Sequence, residues 1–462
     1  MFDWLIANLP LIVAIALPIA IPLVLFHLLP LLVLMERRGA GVIQDRSGPH
    51  RAAVNLQLKS IPGIFNDAVP GLRLRAFGMI YNVTDLVKGL SKEFFIPPFA
   101  YSGWYVIAPA IPVMVGVLTP AVIPWFGDMA TSAGTIHGTI FPTSNGLLLL
   151  FALSSLSVYG VVLGAWSSNS KYSLLGGVRS SAMMISYEVS MGLAVLGLLL
   201  IYGSFSLQDA VTWQSTHTWG VFVQPIGFFL FLISLFAETC RNPFDVTEGE
   251  SEIVGGYHTE YNGIRFMLYM TAEYLHIAVG SVLISTLFLG GYQLLPIPGW
   301  DTDWLREHLG KVALALSIVT ALLLFGFVKL ILGRRTHNAA GHATDREARV
   351  REYGIYAAAF SGLAIGTLGL GGLAAATLWH NPVPAAGAFW SPVVLTVTAL
   401  IQFHIIIAKA LVFSWLFVWV RWTLPRFRYD QIMDLGWKVL LNVALVNLLI
   451  TAVVAKLIKE AW

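Results

Sequence analysis

Ten apolar runs decide what this chain can fold into. The first extends from the N-terminus to about Met35, and the others cover about 104–125, 146–166, 182–202, 221–238, 266–291, 312–333, 354–379, 393–420 and 437–458. A helix rising 1.5 Å per residue needs about 20 apolar residues to cross a hydrocarbon core of about 30 Å, which these runs supply. Composition agrees: 57% of the 462 residues are apolar and 11% are charged, against roughly a quarter charged in a soluble domain. A soluble globule of about three domains, the reading of length alone, is therefore set aside. The expected fold is all-α, a polytopic membrane bundle of about ten transmembrane helices forming one integral membrane domain over 1–462. Asp3 precedes the first run, no basic residue does, and no A-x-A cleavage site follows it. That run reads as a retained span. Pro109, Pro112, Pro120 and Pro124 predict a kinked second span, tolerable where neighbouring helices re-satisfy freed backbone groups.

Alternate loops gather the basic residues. The segments 36–98, 167–181, 240–265, 333–352 and 421–438 hold 22 of the 28 Lys and Arg, which makes these loops cytoplasmic and puts both termini on the other side. Cys240 is the single cysteine, so this chain alone holds no disulfide framework, CxxC pair or iron-sulfur cluster. Electrons, if they matter, belong to partner subunits. His258 and Glu260 are too few for a metal site and HExxH is absent, so no metal is expected. No nucleic-acid partner is expected either. The glycines of Gly366–Gly372 lie inside an apolar run and read as close helix approach, not a dinucleotide turn.

Against this background the acids stand out. Glu238-Thr-Cys-Arg-Asn-Pro-Phe-Asp-Val-Thr-Glu-Gly-Glu-Ser-Glu252 is followed by His258-Thr-Glu-Tyr261 and, inside the sixth span, Glu273. In a helix over 245–252, Asp245, Glu248 and Glu252 would stack at three- and four-residue spacing, where ionised like charges repel. A solvated loop with a Thr247–Glu250 capping box fits the loop equally well. Glu188 and Glu273 sit about six residues, or roughly 9 Å, inside their spans. A carboxylate there costs at least roughly 2.5–3.5 kcal/mol on insertion scales, so it faces the bundle interior or water. That favours a proton-carrying role. His276, one turn beyond Glu273, suits either a relay or a structural hydrogen bond. Lys409 lies about eleven residues, roughly 16 Å, from the cytoplasmic end of its span, beyond easy snorkelling, and a carboxylate partner is expected.

Several stretches resemble the H-type membrane component of respiratory complex I, the proton-pumping NADH:quinone oxidoreductase, which corresponds to core component 1 of the mitochondrial enzyme. They are Glu36-Arg-Arg38 with Gln44-x-Arg46-x-Gly-Pro49, Gly164-Ala-Trp-Ser-Ser-Asn-Ser-Lys-Tyr172, Ile185-Ser-Tyr-Glu-Val189, Ala237-Glu238 through Tyr261, Ala272-Glu-Tyr274, and Arg421 followed by Leu424-Pro-Arg-Phe-Arg-Tyr-Asp430. They are ordered over about 400 residues. The resemblance implies a membrane-arm component of the bacterial inner membrane that forms much of the quinone tunnel and the first part of a proton path. Quinone is then a substrate, and FMN and iron-sulfur clusters reside only in partner subunits. The resemblance assigns Glu188, Glu238, Asp245, Glu248, Glu250, Glu252, Glu260 and Glu273 to the proton path, to which the depth of Lys409 adds that residue. It assigns Arg37, Arg46, Asp85, Arg241 and Phe244 to the quinone cavity, with Lys88, Lys92 and Glu93 nearby. Pairing of the arginines with partner subunits is an equal reading. The cytoplasmic loop 36–98 and the acidic quinone and proton loop 238–265 are the two regions carrying most of these residues.

Two departures accompany the resemblance. An extra stretch around Lys59–Met79 mixes prolines, arginines and large apolar residues and reads as an amphipathic interfacial segment, and Ile80-Tyr-Asn-Val-Thr84 differs from the family's usual residues there. The family commonly has eight spans, so about 312–379 is an extra two-helix insertion, with a basic loop over Arg334–Glu352. Two rival readings stand beside the first: the membrane anchor of a related energy-converting hydrogenase, and a stand-alone proton-coupled transporter.

Overall fold

The computed structural model describes residues 2–46, 48–49, 52, 54–56, 72–131, 134–246, 253–340, 346–378 and 390–461. Along the chain run α1 (Phe2–Ile43), β1 (Val54–Leu56), β2 (Leu72–Leu74), α2 (Ile80–Ser91), α3 (Ser102–Ile107), α4 (Ala110–Leu118), β3 (Met129–Thr131), β4 (Gly134–Ile136), α5 (Gly146–Ser167), α6 (Lys171–Tyr202), α7 (Leu207–Thr216), α8 (Gly220–Val223) and α9 (Pro225–Glu238). Then come α10 (Gly263–Phe288), α11 (Thr302–Glu307), α12 (Leu309–Ala340), α13 (Arg346–Leu378), α14 (Trp390–Thr423), α15 (Tyr429–Asp434) and α16 (Leu441–Ala461), the last two joined through a wide helical turn over Leu435–Leu440.

Among the described residues nine helical segments are long and apolar enough to cross a membrane. The polytopic helical bundle is therefore present, and the count of ten differs at one place. The expected fifth span is broken at Gln224, whose backbone leaves the helical region just before Pro225, leaving the 14-residue α9. At 1.5 Å per residue α9 is roughly 21 Å long, short of a full crossing. The second span kinks as its prolines require: α3 ends before Pro109, and α4 passes into a 3-10 turn at Thr119–Val122. The fourth begins at Lys171, eleven residues before the expected start at about 182. Lys171 and Arg179 lower hydropathy without opposing a helix, and Glu188 consequently sits at the middle of α6.

Two compact units result. The first comprises 1–44, 86–302 and 395–462, and the second comprises 45–85 and 303–394. The first has the continuous core, in which Phe231, Phe288, Tyr187, Ile406 and Phe417 are nearly inaccessible. In the second, α12 and α13 lie against one another as a helical hairpin, and the short β1–β2 ladder pairs Val54 with Leu74. Glu352 of α13 accepts the Arg75 N–H at 2.5 Å and the Tyr356 hydroxyl at 2.6 Å. Phe77, held at φ 55°, packs on Tyr356, Phe327 and Phe360. The two stretches that depart from the resembled family thus meet in one unit. Most of the expected interfacial segment at 59–79 lies outside the described residues.

Candidate functional site

In the first unit, six motifs distant in sequence close on one another. α9 ends at Glu238, and the chain reverses through Cys240 at φ 51° and a cis Asn242–Pro243 bond. Asn242 donates its amide to the carbonyls of Arg421 (2.8 Å) and Leu424 (3.0 Å), and the Phe427 N–H donates to the Pro243 carbonyl. Arg426 pairs with the buried Asp245 at 2.7 Å. Phe244 is wedged edge-on between Tyr187 and Phe427, and the Tyr187 hydroxyl donates to the Ile432 carbonyl. Tyr261 and Tyr269 donate to the carbonyls of Gly164 and Gly160. Burial pushes the Tyr261 phenol up, which keeps it a donor.

The chemistry centres on Arg241, only 5% exposed. Its guanidinium is shared: Nη1 lies 3.3 Å from Glu36 Oε2 on α1, and Nη2 lies 3.4 Å from Glu273 Oε2 on α10. Glu36 also pairs with Arg421 and accepts the Tyr274 hydroxyl at 2.8 Å. The Arg241 guanidinium stands 4.5 Å over the Tyr274 ring, and Tyr257 donates to Glu273 Oε1 at 3.3 Å. A planar cation with five donors serves two carboxylates at once, and buried charges persist only where they are paired in this manner.

Next to the network are two cavities. One of about 30 Å³ is bordered by Glu238, Glu273, His276 and Tyr257, and one of about 40 Å³ by Glu238, His276, Thr119 and Ser154. The Ser154 hydroxyl donates to the Phe151 carbonyl at 3.0 Å, and Glu188 is a neighbour of both Ser154 and Glu238. A water needs roughly 10–15 Å³ of such space and two to four polar partners, and both cavities meet that requirement.

Sequence reasoning nominated Arg241, Glu273, Glu238 and Glu188, and these gather here; Asp245 joins them through Arg426. Glu260 stands half-buried before α10, its backbone carbonyl accepting the Tyr105 hydroxyl. Arg37 is half-buried on α1. Arg46 and Asp85 belong to the second unit, Arg46 exposed and Asp85 on α2. Phe244 is core packing in this structure, 3% exposed. Glu248, Glu250 and Glu252 lie outside the described residues.

Lys409 requires a correction. Among the described residues its ammonium is held by the carbonyls of Leu289 (2.6 Å), Gly291 (3.0 Å) and Gln293 (2.5 Å), with the Trp219 ring 4.5 Å away, and not by a carboxylate. The chain past the C-terminus of α10, where unpaired carbonyls collect, offers a ready cation site. Two charged residues of the network carried no role in the sequence reading, Glu36 and Arg421. The available signal was a carboxylate set against two arginines at the end of the first span, in Glu36-Arg-Arg38.

The NADH dehydrogenase family matches residues 15–343 and 353–452. An H-type chain of the NADH-quinone oxidoreductase of Cytophaga hutchinsonii is 31% identical over 417 residues, 90% of this chain and 89% of the relative. Subunit 8 of the Rhodothermus marinus NADH-quinone oxidoreductase is 35% identical over 425 residues, 91% of each. An H-type chain of the Geobacter metallireducens enzyme is 34% identical over 434 residues, 93% of this chain and 94% of the relative.

Proposed function

This multi-pass membrane chain belongs to the NADH dehydrogenase family, and from that membership we propose that it serves as the H-type membrane-arm component of a proton-translocating NADH:quinone oxidoreductase. In this reading it forms much of the quinone tunnel and couples quinone reduction to proton movement. It works in a bacterial inner membrane with both termini on the non-cytoplasmic side, beside hydrophilic-arm subunits that hold FMN and iron-sulfur clusters.

The observation that carries the reading is the sharing of Arg241 between Glu36 and Glu273. Negative charge arising on quinone as it is reduced draws the guanidinium toward it and loosens its hold on Glu273, because paired charges in a poorly screened site respond strongly to a third. Glu273 borders a cavity that also touches Glu238, so a proton exchanged there has a next acceptor. Arg37, Arg46 and Asp85 serve the quinone side in this reading, and Glu248, Glu250, Glu252 and Glu260 extend the acidic path.

The test is Glu238→Gln, with Glu248→Gln and Glu252→Gln beside it, in the purified complex reconstituted in liposomes. Quinone-linked NADH oxidation and proton translocation should fall by at least about tenfold, while NADH oxidation by hydrophilic artificial acceptors stays near wild type. Unchanged quinone-linked pumping in all three variants overturns the reading.

A further inference from the structure

His276 lies one turn beyond Glu273 on α10 and belongs to none of the ion pairs above, yet it borders both cavities. The two cavities share Ser157, Glu238, Thr239 and His276 as lining, so they adjoin at this ring. One ring nitrogen is committed: His276 Nε2 lies 3.1 Å from the Pro112 carbonyl on α4. A carbonyl only accepts, so Nε2 carries the hydrogen, and in the neutral ring Nδ1 is left as an acceptor. Gly116 makes room for this arrangement. A Cβ there would sit 3.3 Å from His276 Cδ2 and 2.6 Å from Leu275 Cδ2.

We propose that His276 is a positioning residue that joins the two cavities into one hydrogen-bonded water passage, its Nδ1 accepting from water at the junction between the Glu273 side and the Ser154 side. The fixed tautomer gives the role its direction. With Nε2–H spent on a backbone carbonyl, the ring cannot pass a proton in at one nitrogen and out at the other. It orders water, and the protons move along the water. About two waters fit the smaller cavity and about three the larger, at 10–15 Å³ each. The titratable groups bordering this junction are Glu238, Cys240, Tyr257, Tyr269 and Glu273.

This inference rests on the proton-path reading given above, and its test separates the two. In the reconstituted complex, His276→Leu removes the acceptor, while His276→Asn keeps one near the position of Nδ1 without a group that titrates. His276→Leu should lower quinone-linked proton translocation about tenfold, the weight of one lost hydrogen bond of about 1.4 kcal/mol. His276→Asn should restore most of it and leave the pH profile of turnover unchanged, a rescue that loss of packing alone does not give. Gly116→Ala, which crowds the ring, should fall between them. Wild-type pumping by His276→Leu, or equal loss by Leu and Asn, overturns the proposal. If Glu238→Gln is impaired in the same preparations the proton-path reading survives that failure; if Glu238→Gln also pumps normally, the path itself is wrong.

Discussion

Two cations flank helix α10, the half-buried Lys409 of α14 past its carboxyl end and the buried Arg241 beside Glu273 in its amino-terminal half, and they are held in opposite ways. At the carboxyl end, Lys409 sits among three backbone carbonyls and a tryptophan face. In the amino-terminal half, Arg241 sits between two carboxylates, over a tyrosine ring and beside cavities with room for water. Carbonyl dipoles are fixed by the fold and cannot take up a proton. Carboxylates can, and a guanidinium shared by two of them can shift its weight from one to the other. The partners of Lys409 are thus fixed, and those of Arg241 are groups able to take up a proton. A cation removed from water is the same kind of anomaly in both cases; the partner decides what it means.

The largest effect separating the two ends should come from Lys409→Met. Three carbonyls lose their donor, and each buried acceptor left unmet costs about 1–3 kcal/mol. The expected outcome is a sharp loss of assembled complex and a lower midpoint of thermal inactivation, with whatever complex survives still coupled normally. A Lys409→Met enzyme that assembles and melts like wild type, yet fails to pump, would return Lys409 to the proton path and erase the contrast.

Arg241→Gln should act in the other sense. The complex should assemble, since Arg421 and Tyr274 still meet Glu36, but Glu273 loses its cation. Quinone-linked turnover should fall by at least about tenfold, with artificial-acceptor activity retained. Arg241→Lys should recover only a part of it, because a single ammonium does not reproduce a planar fork that reaches two carboxylates. Failure of assembly without any coupled fraction would make Arg241 another structural cation, like Lys409.

How far this contrast was legible in the sequence follows from the same chemistry. Apolar runs of membrane length announced the bundle, the acids at Glu188 and Glu273 announced themselves by being costly where they stand, and Glu238 opened the one strongly acidic stretch. The cage around Lys409 left almost no trace, because backbone carbonyls have no residue code. The nearest hint was Gly290-Gly291, which the structure holds at φ 70° and 51° to fold the chain back past the helix end. Glu36 was readable as a motif and not as a partner, since its ligands Arg241 and Arg421 lie 205 and 385 residues away. The short α9 was hidden because hydropathy runs smoothly across Gln224-Pro225 while the backbone does not. The link between β2 and α13 through Arg75 and Glu352 was likewise out of reach, being 277 residues long.

The smallest expected effect is also the finest probe of the mobile-charge end. Tyr274→Phe removes the hydroxyl that donates to Glu36 Oε2 but keeps the ring beneath the Arg241 guanidinium. A hydrogen bond to a charged group contributes about 1.5–3 kcal/mol, but two arginines remain on the same carboxylate and offset part of that loss, so quinone-linked turnover should fall several-fold, less than the tenfold that about 1.4 kcal/mol would give. Glu36→Gln should cost more, since it removes the charge that competes with Glu273 for Arg241. If the hydroxyl acts through Glu36, the double variant should be no worse than Glu36→Gln alone, the non-additivity of two groups in one network. Simple additivity of the two losses would mean that Tyr274 works through Arg241 or the quinone side instead, and that Glu36 is a fixed anchor more like the carbonyls around Lys409 than like Glu273.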